Sequence, residues 1–163
     1  MSPMQRLAGV LAAVAVLACG GAATAQQPED FPYDGMVRID TAYDFPTLWS
    51  RLETAVRDHE MLLLMRASAS RGAANRGINI PSNGVMDVFR NDYAVRMLQA
   101  SVAAGFEAPM RFYLVETESG GTALIYRRPS AAFAAYNAEG LEDVGAELDV
   151  MFGSIAAQAT APQ

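Results

Sequence analysis

The chain has 163 residues, 52% of them hydrophobic, and sets 18 acidic residues against 12 basic ones for a formal net charge of −6. Every basic residue is arginine, which excludes Schiff-base and phosphate-loop lysine chemistry. An acidic chain without a basic cluster also excludes nucleic acid as a partner, since that affinity rests on cations that neutralise phosphates.

Residues 1–25 have the layout of a secretory signal peptide. MSPMQR carries one positive charge, LAGVLAAVAVLAC is an apolar run, and Ala23-Thr24-Ala25 is a small-x-small cleavage site. The run is shorter than the ~20 residues that span a bilayer, so no membrane span is expected. The expected product begins at Gln26 and is periplasmic or secreted. Cleavage there removes Cys19, the only cysteine, and with it disulfides, thiol catalysis and thiolate metal sites. A lipoprotein with Cys19 as the acylated residue fits less well, because Leu17 is a poor match to such a processing site.

Residues 26–35 form a Pro-containing linker, 36–157 a single domain, and 158–163 a frayed tail. Met36–Ile39 alternates as a short first strand. Asp44 then caps a helix with Pro46 in its first turn, where a missing N–H costs nothing, and with Phe45, Leu48, Trp49, Leu52 and Val56 on one stripe. Glu53 and Arg57 pair on its wet side. MLLLM, Met61–Met65, is too short for a helix and too uniformly apolar for a surface strand, which predicts a central strand buried on both faces. The Gly-, Ser- and Asn-rich segment that follows predicts a loop with one helical turn near Ala73. Val85–Phe89 resumes as a strand.

Asn91 or Asp92 is expected to cap the next helix, whose inner face is Ala94, Met97, Leu98, Ser101 and Val102, and Gly105 to end it. Asp92 and Arg96 have the favourable i,i+4 order. MRFYLVE and TALIYRR flank Ser119-Gly120-Gly121 as a hairpin. The last helix runs from Leu141 to Ile155, with Leu141, Val144, Leu148, Met151 and Ile155 inward. This order predicts an α+β fold of two layers, a mixed or antiparallel sheet of about five strands with helices packed on one face. Trp49 and Leu98, each mid-stripe, are expected to pack helices onto the sheet.

The other face of the sheet supplies the candidate site. In MRFYLV, Arg111, Tyr113 and Val115 point away from Met110, Phe112 and Leu114. A two-residue Ser119-Gly120 turn places Tyr113 opposite Tyr126 and Arg111 opposite Arg128. Like charges so placed need an acid or an anion between them. Tyr113, Val115, Leu124 and Tyr126 would then form an apolar patch uncommon on a soluble monomer that meets nothing. Arg111, Tyr113, Tyr126 and Arg128 are therefore the ligand- or partner-binding candidates, with Arg90, Asn91 and His59 secondary. His59, the only histidine, sits at a helix C-terminus, where the macrodipole favours it. No residue is assigned a catalytic role. Ser68, Ser70 and Ser82 lie in no G-x-S-x-G turn, the carboxylates have no calcium-loop spacing, and the methionines fall at core positions. No metal and no cofactor are expected.

FRNDYAVRMLQASVAAGFEAPMRFYLVE followed by GGTALIYRRPSAAFAAY gives this chain, over Val37–Ala157, an order of elements that resembles the bacterial domain of unknown function 302 family. The resemblance implies a compact α+β domain, often exported, sometimes fused to redox or sulfur-metabolism modules, with no assigned reaction. Two places depart from the family pattern. Asn91-Asp92 stands where many members have Asn-Pro, and Ser68-Ala69-Ser70 where many have a histidine, so a metal or haem role suggested for those members does not carry over. The expected function is a non-enzymatic exported domain that binds a partner or a small anionic or aromatic ligand on one sheet face. The alternatives are a redox or sulfur-metabolism accessory or enzyme, with His59 and a pocket at the 71–83 loop, and a structural homodimer.

Overall fold

The computed structural model describes residues 33–162. The leader, its cleavage site, Cys19 and most of the 26–35 linker lie outside the described residues. Five strands, β1 (Met36–Thr41), β2 (Leu62–Ala67), β3 (Asn83–Phe89), β4 (Met110–Glu116) and β5 (Thr122–Arg127), form one sheet in the order β1-β5-β4-β3-β2, with every neighbour antiparallel. The helices are α1 (Phe45–Asp58), α2 (Ala69–Ala74), α3 (Asn91–Ala100), α4 (Pro129–Phe133) and α5 (Leu141–Thr160), and a 3₁₀ turn covers Ala103–Glu107. The α+β expectation holds.

The inner face of the sheet is closed by α1 and α5. Leu48, Leu52, Ala55 and Val56 of α1 meet Phe152, Ile155, Ala156 and Ala159 of α5 over Met86, Val88, Phe112, Leu114, Leu124 and Tyr126. α1 begins as its sequence dictates: Asp44 Oδ1 accepts a hydrogen bond from the Thr47 N–H at 2.9 Å, and Pro46 sits in the first turn. The Thr47 side chain first, and this backbone bond next, hold the Asp44 carboxyl below the usual aspartate range. A folded-state value below the unfolded one contributes stability above the unfolded value, and the contribution is lost as pH falls through the folded one. Asp44→Ala should therefore lower the melting temperature at pH 7, and the difference from wild type should vanish at acid pH once the carboxyl is protonated. Equal melting temperatures at neutral pH would deny the cap.

α5 runs past the expected end. Arg51 of α1 donates to the carbonyls of Ala159 at 2.6 Å and Ala161 at 2.7 Å, and Tyr43 donates to Ala161 at 2.6 Å. These bonds cap orphan carbonyls at the helix C-terminus, so the tail through Thr160 is ordered helix with Ala156 and Ala159 in the core, not a frayed end. On the same helix Phe152 takes the inward place, and Met151 is only partly buried.

Other expectations fail. MLLLM is not a central strand: among the described residues β2 is an edge of the sheet, paired only with β3, and Leu62, Leu64 and Met65 are 58%, 54% and 41% exposed. A register shift between Leu63 and Met65 marks a bulge there. α3 is shorter than its apolar pattern, ending at Ala100. Met97 is its buried residue, Leu98 is exposed and does not pack onto the sheet, and Gly105 lies inside the 3₁₀ turn. Its cap differs too, since Arg90 occupies the N-cap position without a side-chain bond, and Asn91 is already the first helical residue. Asp92 pairs with Arg90 rather than Arg96, while Arg96 makes two 2.7 Å bonds to Glu147 of α5. Tertiary contact overrides the local i,i+4 pair.

Candidate functional site at the outer sheet face

The hairpin turn sets which residues meet on the outer face. It spans Thr117–Gly121, closed by Thr117 N–H to Gly121 O at 2.8 Å and Gly120 N–H to Thr117 O at 3.0 Å. Gly120 takes a positive φ of 84°, and a Cβ on Gly121 would lie against the Thr41 carbonyl oxygen, so glycine is required at both. The longer turn moves the register by one residue from that of a two-residue turn. Tyr113 lies opposite Ile125, and Phe112 opposite Tyr126. Because successive side chains alternate, this one-residue change turns β5 over.

Tyr126 therefore points into the core, 7% exposed, 5.4 Å from the Phe112 ring and 5.7 Å from Phe152. Burial first, and Asp149 next, hold its phenol above the usual range. Leu124 is fully buried. The expected patch of Tyr113, Val115, Leu124 and Tyr126 does not exist, and Arg128 lies exposed at the start of α4 rather than opposite Arg111. The outer face carries Arg38 and Asp40 of β1, Ile125 and Arg127 of β5, Arg111 and Tyr113 of β4, and Asp87 of β3.

The demand for an acid beside Arg111 is met from the other side. Asp87, its cross-strand partner on β3, is 6% exposed and accepts Arg111 Nε at 3.0 Å. Where the outer face reaches the 3₁₀ turn and α4, a groove of about 460 Å³ opens, bordered by Arg111, Tyr113, Ile125, Arg127, Phe106 and Glu107. Tyr126 reaches its floor. Burial raises the Tyr113 phenol. Phe106 is 88% exposed. Arg127 is fixed from behind: Nε donates to the Asp34 carbonyl at 3.2 Å, Nη2 to the Ala131 carbonyl at 3.0 Å, and the guanidinium lies 5.5 Å from the Tyr33 ring centroid. Glu107 Oε1 accepts the Tyr136 hydroxyl at 2.8 Å, a bond that raises the Tyr136 phenol.

The secondary candidates lie elsewhere. Arg90 bonds Asp92 at 3.0 Å, rests 5.2 Å from the Tyr93 ring centroid, and borders a separate small cavity of about 30 Å³ lined by Met61, Met97 and Met110. Asn91 makes no side-chain hydrogen bond among the described residues. His59 caps the end of α1 through its backbone, its N–H on Ala55 O at 3.1 Å. In the 68–83 segment, the Ser68 and Ser70 hydroxyls bond each other at 3.0 Å, and Ser70 takes the Asn83 N–H at 3.1 Å, which ties α2 to β3. Among the described residues no group of three or more His, Cys, Asp or Glu side chains could hold a metal ion.

Glu107, Phe106 and Arg127 are the site residues that sequence reasoning missed. Thr117, Ser119, Gly120 and Gly121, four turn-forming residues in a run of five, were the available signal that the turn exceeds two residues.

Residues 37–159 match the family model described as Domain of unknown function DUF302. The chain belongs to the DUF302 family. A crystal structure of an uncharacterized conserved DUF302 protein from Bacillus stearothermophilus is similar to this chain with a TM-score of 0.70 at 15% sequence identity, covering 77% of this chain and 98% of that one. At that identity the likeness shows a shared fold. No curated protein matches the chain. Within this DUF302 domain no helix of the described residues is long and apolar enough to cross a membrane. The DUF302 sheet thus presents one face to its helices and a second, charged and aromatic, to the groove.

Proposed function

We propose that this DUF302 domain is an exported, non-enzymatic binding domain whose outer-face groove takes a small organic ligand. The observation that supports it is the groove itself, about 460 Å³ with Arg127 anchored by two carbonyls, Tyr113 in its lining and Phe106 exposed at its border. Ligand sites commonly enclose ~300–1,000 Å³ with apolar walls and a few fixed polar groups. Arg111, Tyr113 and Tyr126 of the candidates read from the sequence line it, whereas Arg128 and His59 do not.

The test is an amide chemical-shift titration of the protein beginning at Gln26 against a library of small aromatic and anionic fragments. Shifts confined to Phe106, Tyr113, Ile125 and Arg127 are the expected result. A library without a single hit there, or hits clustered at Arg90 and Tyr93, sinks the reading. The export half of the proposal rests on the leader and is tested by intact mass of the protein from the producing cell. A chain beginning at Gln26 supports it, and an intact Met1 or a lipid-modified Cys19 contradicts it. The homodimer reading has one observation behind it, the open β2 edge with Leu62 and Leu64 exposed. Sedimentation velocity across a hundredfold concentration range separates the two.

A further inference from the structure

We infer that the ligand of the groove is a zwitterion with an aromatic side chain, a small molecule carrying both a carboxylate and an ammonium group as an aromatic amino acid does. The inference rests on the groove reading above and adds the charge pattern. Among the described residues, three charged side chains border the groove, Arg111, Arg127 and Glu107. Arg111 is already answered by Asp87 at 3.0 Å. Arg127 spends its bonds on two neutral carbonyls and, among the described residues, has no carboxylate partner. Glu107 accepts only a neutral phenol and has no cationic partner among the described residues.

Arg127 and Glu107 thus stand in one groove as an unanswered cation and an unanswered anion, and they do not pair with each other. Removing either from water without an opposite charge is unfavourable. A dianion would answer Arg127 and face Glu107, and a simple amine would do the reverse. A ligand with one charge of each sign answers both, its carboxylate on the Arg127 guanidinium and its ammonium on Glu107. Tyr113 and Ile125 line the same groove, and Phe106, 88% exposed, stands at its border, a set that suits an aromatic side chain.

The experiment is calorimetric titration at pH 7 of the protein beginning at Gln26 with three probes of one shape: L-phenylalanine, 3-phenylpropionate, which lacks the amine, and 2-phenylethylamine, which lacks the carboxylate. Phenylalanine should bind about tenfold or more tightly than either of the others, the scale of one charged hydrogen bond. Glu107→Gln should erase its advantage over 3-phenylpropionate, and Arg127→Met its advantage over 2-phenylethylamine. Because Arg127 also ties down Asp34 and Ala131, Glu107→Gln, which disturbs only the Tyr136 bond, keeps the test decisive if Arg127→Met fails to fold. If 3-phenylpropionate binds as tightly as phenylalanine, and Glu107→Gln changes nothing, the ligand is a monoanion and this inference falls while the groove reading stands. If none of the three binds but another fragment shifts the groove residues, it falls in the same way. If no compound touches the groove, both fall.

Discussion

Phe152→Ala is expected to lower the unfolding free energy by about 3–5 kcal/mol, the cost of removing a fully buried ring and leaving a cavity. Phe152 has no exposed surface, and its ring stacks on Phe112 with centroids 4.7 Å apart and planes 21° apart. Tyr126 closes the cluster from β5, edge-on to Phe112 at 63°. Three rings from α5, β4 and β5 thus share one contact, which joins the longest helix to the two strands that carry the groove. Ring pairs add about 0.5–1.5 kcal/mol beyond area burial, so Phe152→Leu, which keeps much of the apolar volume and loses the stacking, should fall well short of the alanine cost. Urea denaturation of both variants measures the difference. A loss below about 1.5 kcal/mol for Phe152→Ala would show that the neighbouring chains collapse into the space, contrary to a core held by its rings.

Arg111→Met should destabilise the fold by about 1–3 kcal/mol, because it leaves the Asp87 carboxylate on the middle of β3 without its cation. The arginine side chain is 57% exposed and the aspartate 8%, so the larger penalty belongs to the acid left behind and the pair itself is screened on the arginine side. The sign of the remedy follows. Asp87→Asn in the Arg111→Met background should recover much of the loss, since it removes the stranded charge. A double-mutant cycle on Asp87 and Arg111 checks this, and additive costs would mean the two groups do not act together.

Much of the fold was legible because local chemistry and tertiary structure agree. Asp44 and Pro46 mark the start of α1, and its stripe from Phe45 to Val56 faces the sheet as its spacing requires. The α+β order, the strand around Val85–Phe89 and the hairpin could be read the same way. What could not be read depends on distant parts of the chain. MLLLM has the composition of a central strand, but strand order is decided by which neighbours pair, and β4, flanked by β5 and β3, occupies the centre instead. Arg51 lies on a wet-looking face of α1 and gives no local sign that it caps α5.

The candidate site suffered from a smaller cause with a larger effect. The turn runs Thr117–Gly121 rather than two residues, and the single-residue change exchanges Tyr126 for Ile125 and Arg128 for Arg127 on the outer face. Arg111 and Tyr113, on the strand before the turn, were placed on the correct side. Phe106 and Glu107 could not be placed at all, because a 3₁₀ turn occupies residues assigned to the end of a longer helix.

The open edge at β2 also bears on how the folded protein comes apart. Among the described residues β2 is hydrogen-bonded along one side only, and apart from Leu63 its side chains lie outside the two buried clusters. Detaching it wets little apolar surface, since Leu62 and Leu64 are more than half wet already and Met65 is exposed too. Its separation from β3 is then a subglobal opening with a small dependence on denaturant, distinct from the global transition that the α1–α5 core governs. In native-state hydrogen exchange the β2 amides should respond to low urea hardly at all, while those of β4 and β5 follow the full unfolding curve.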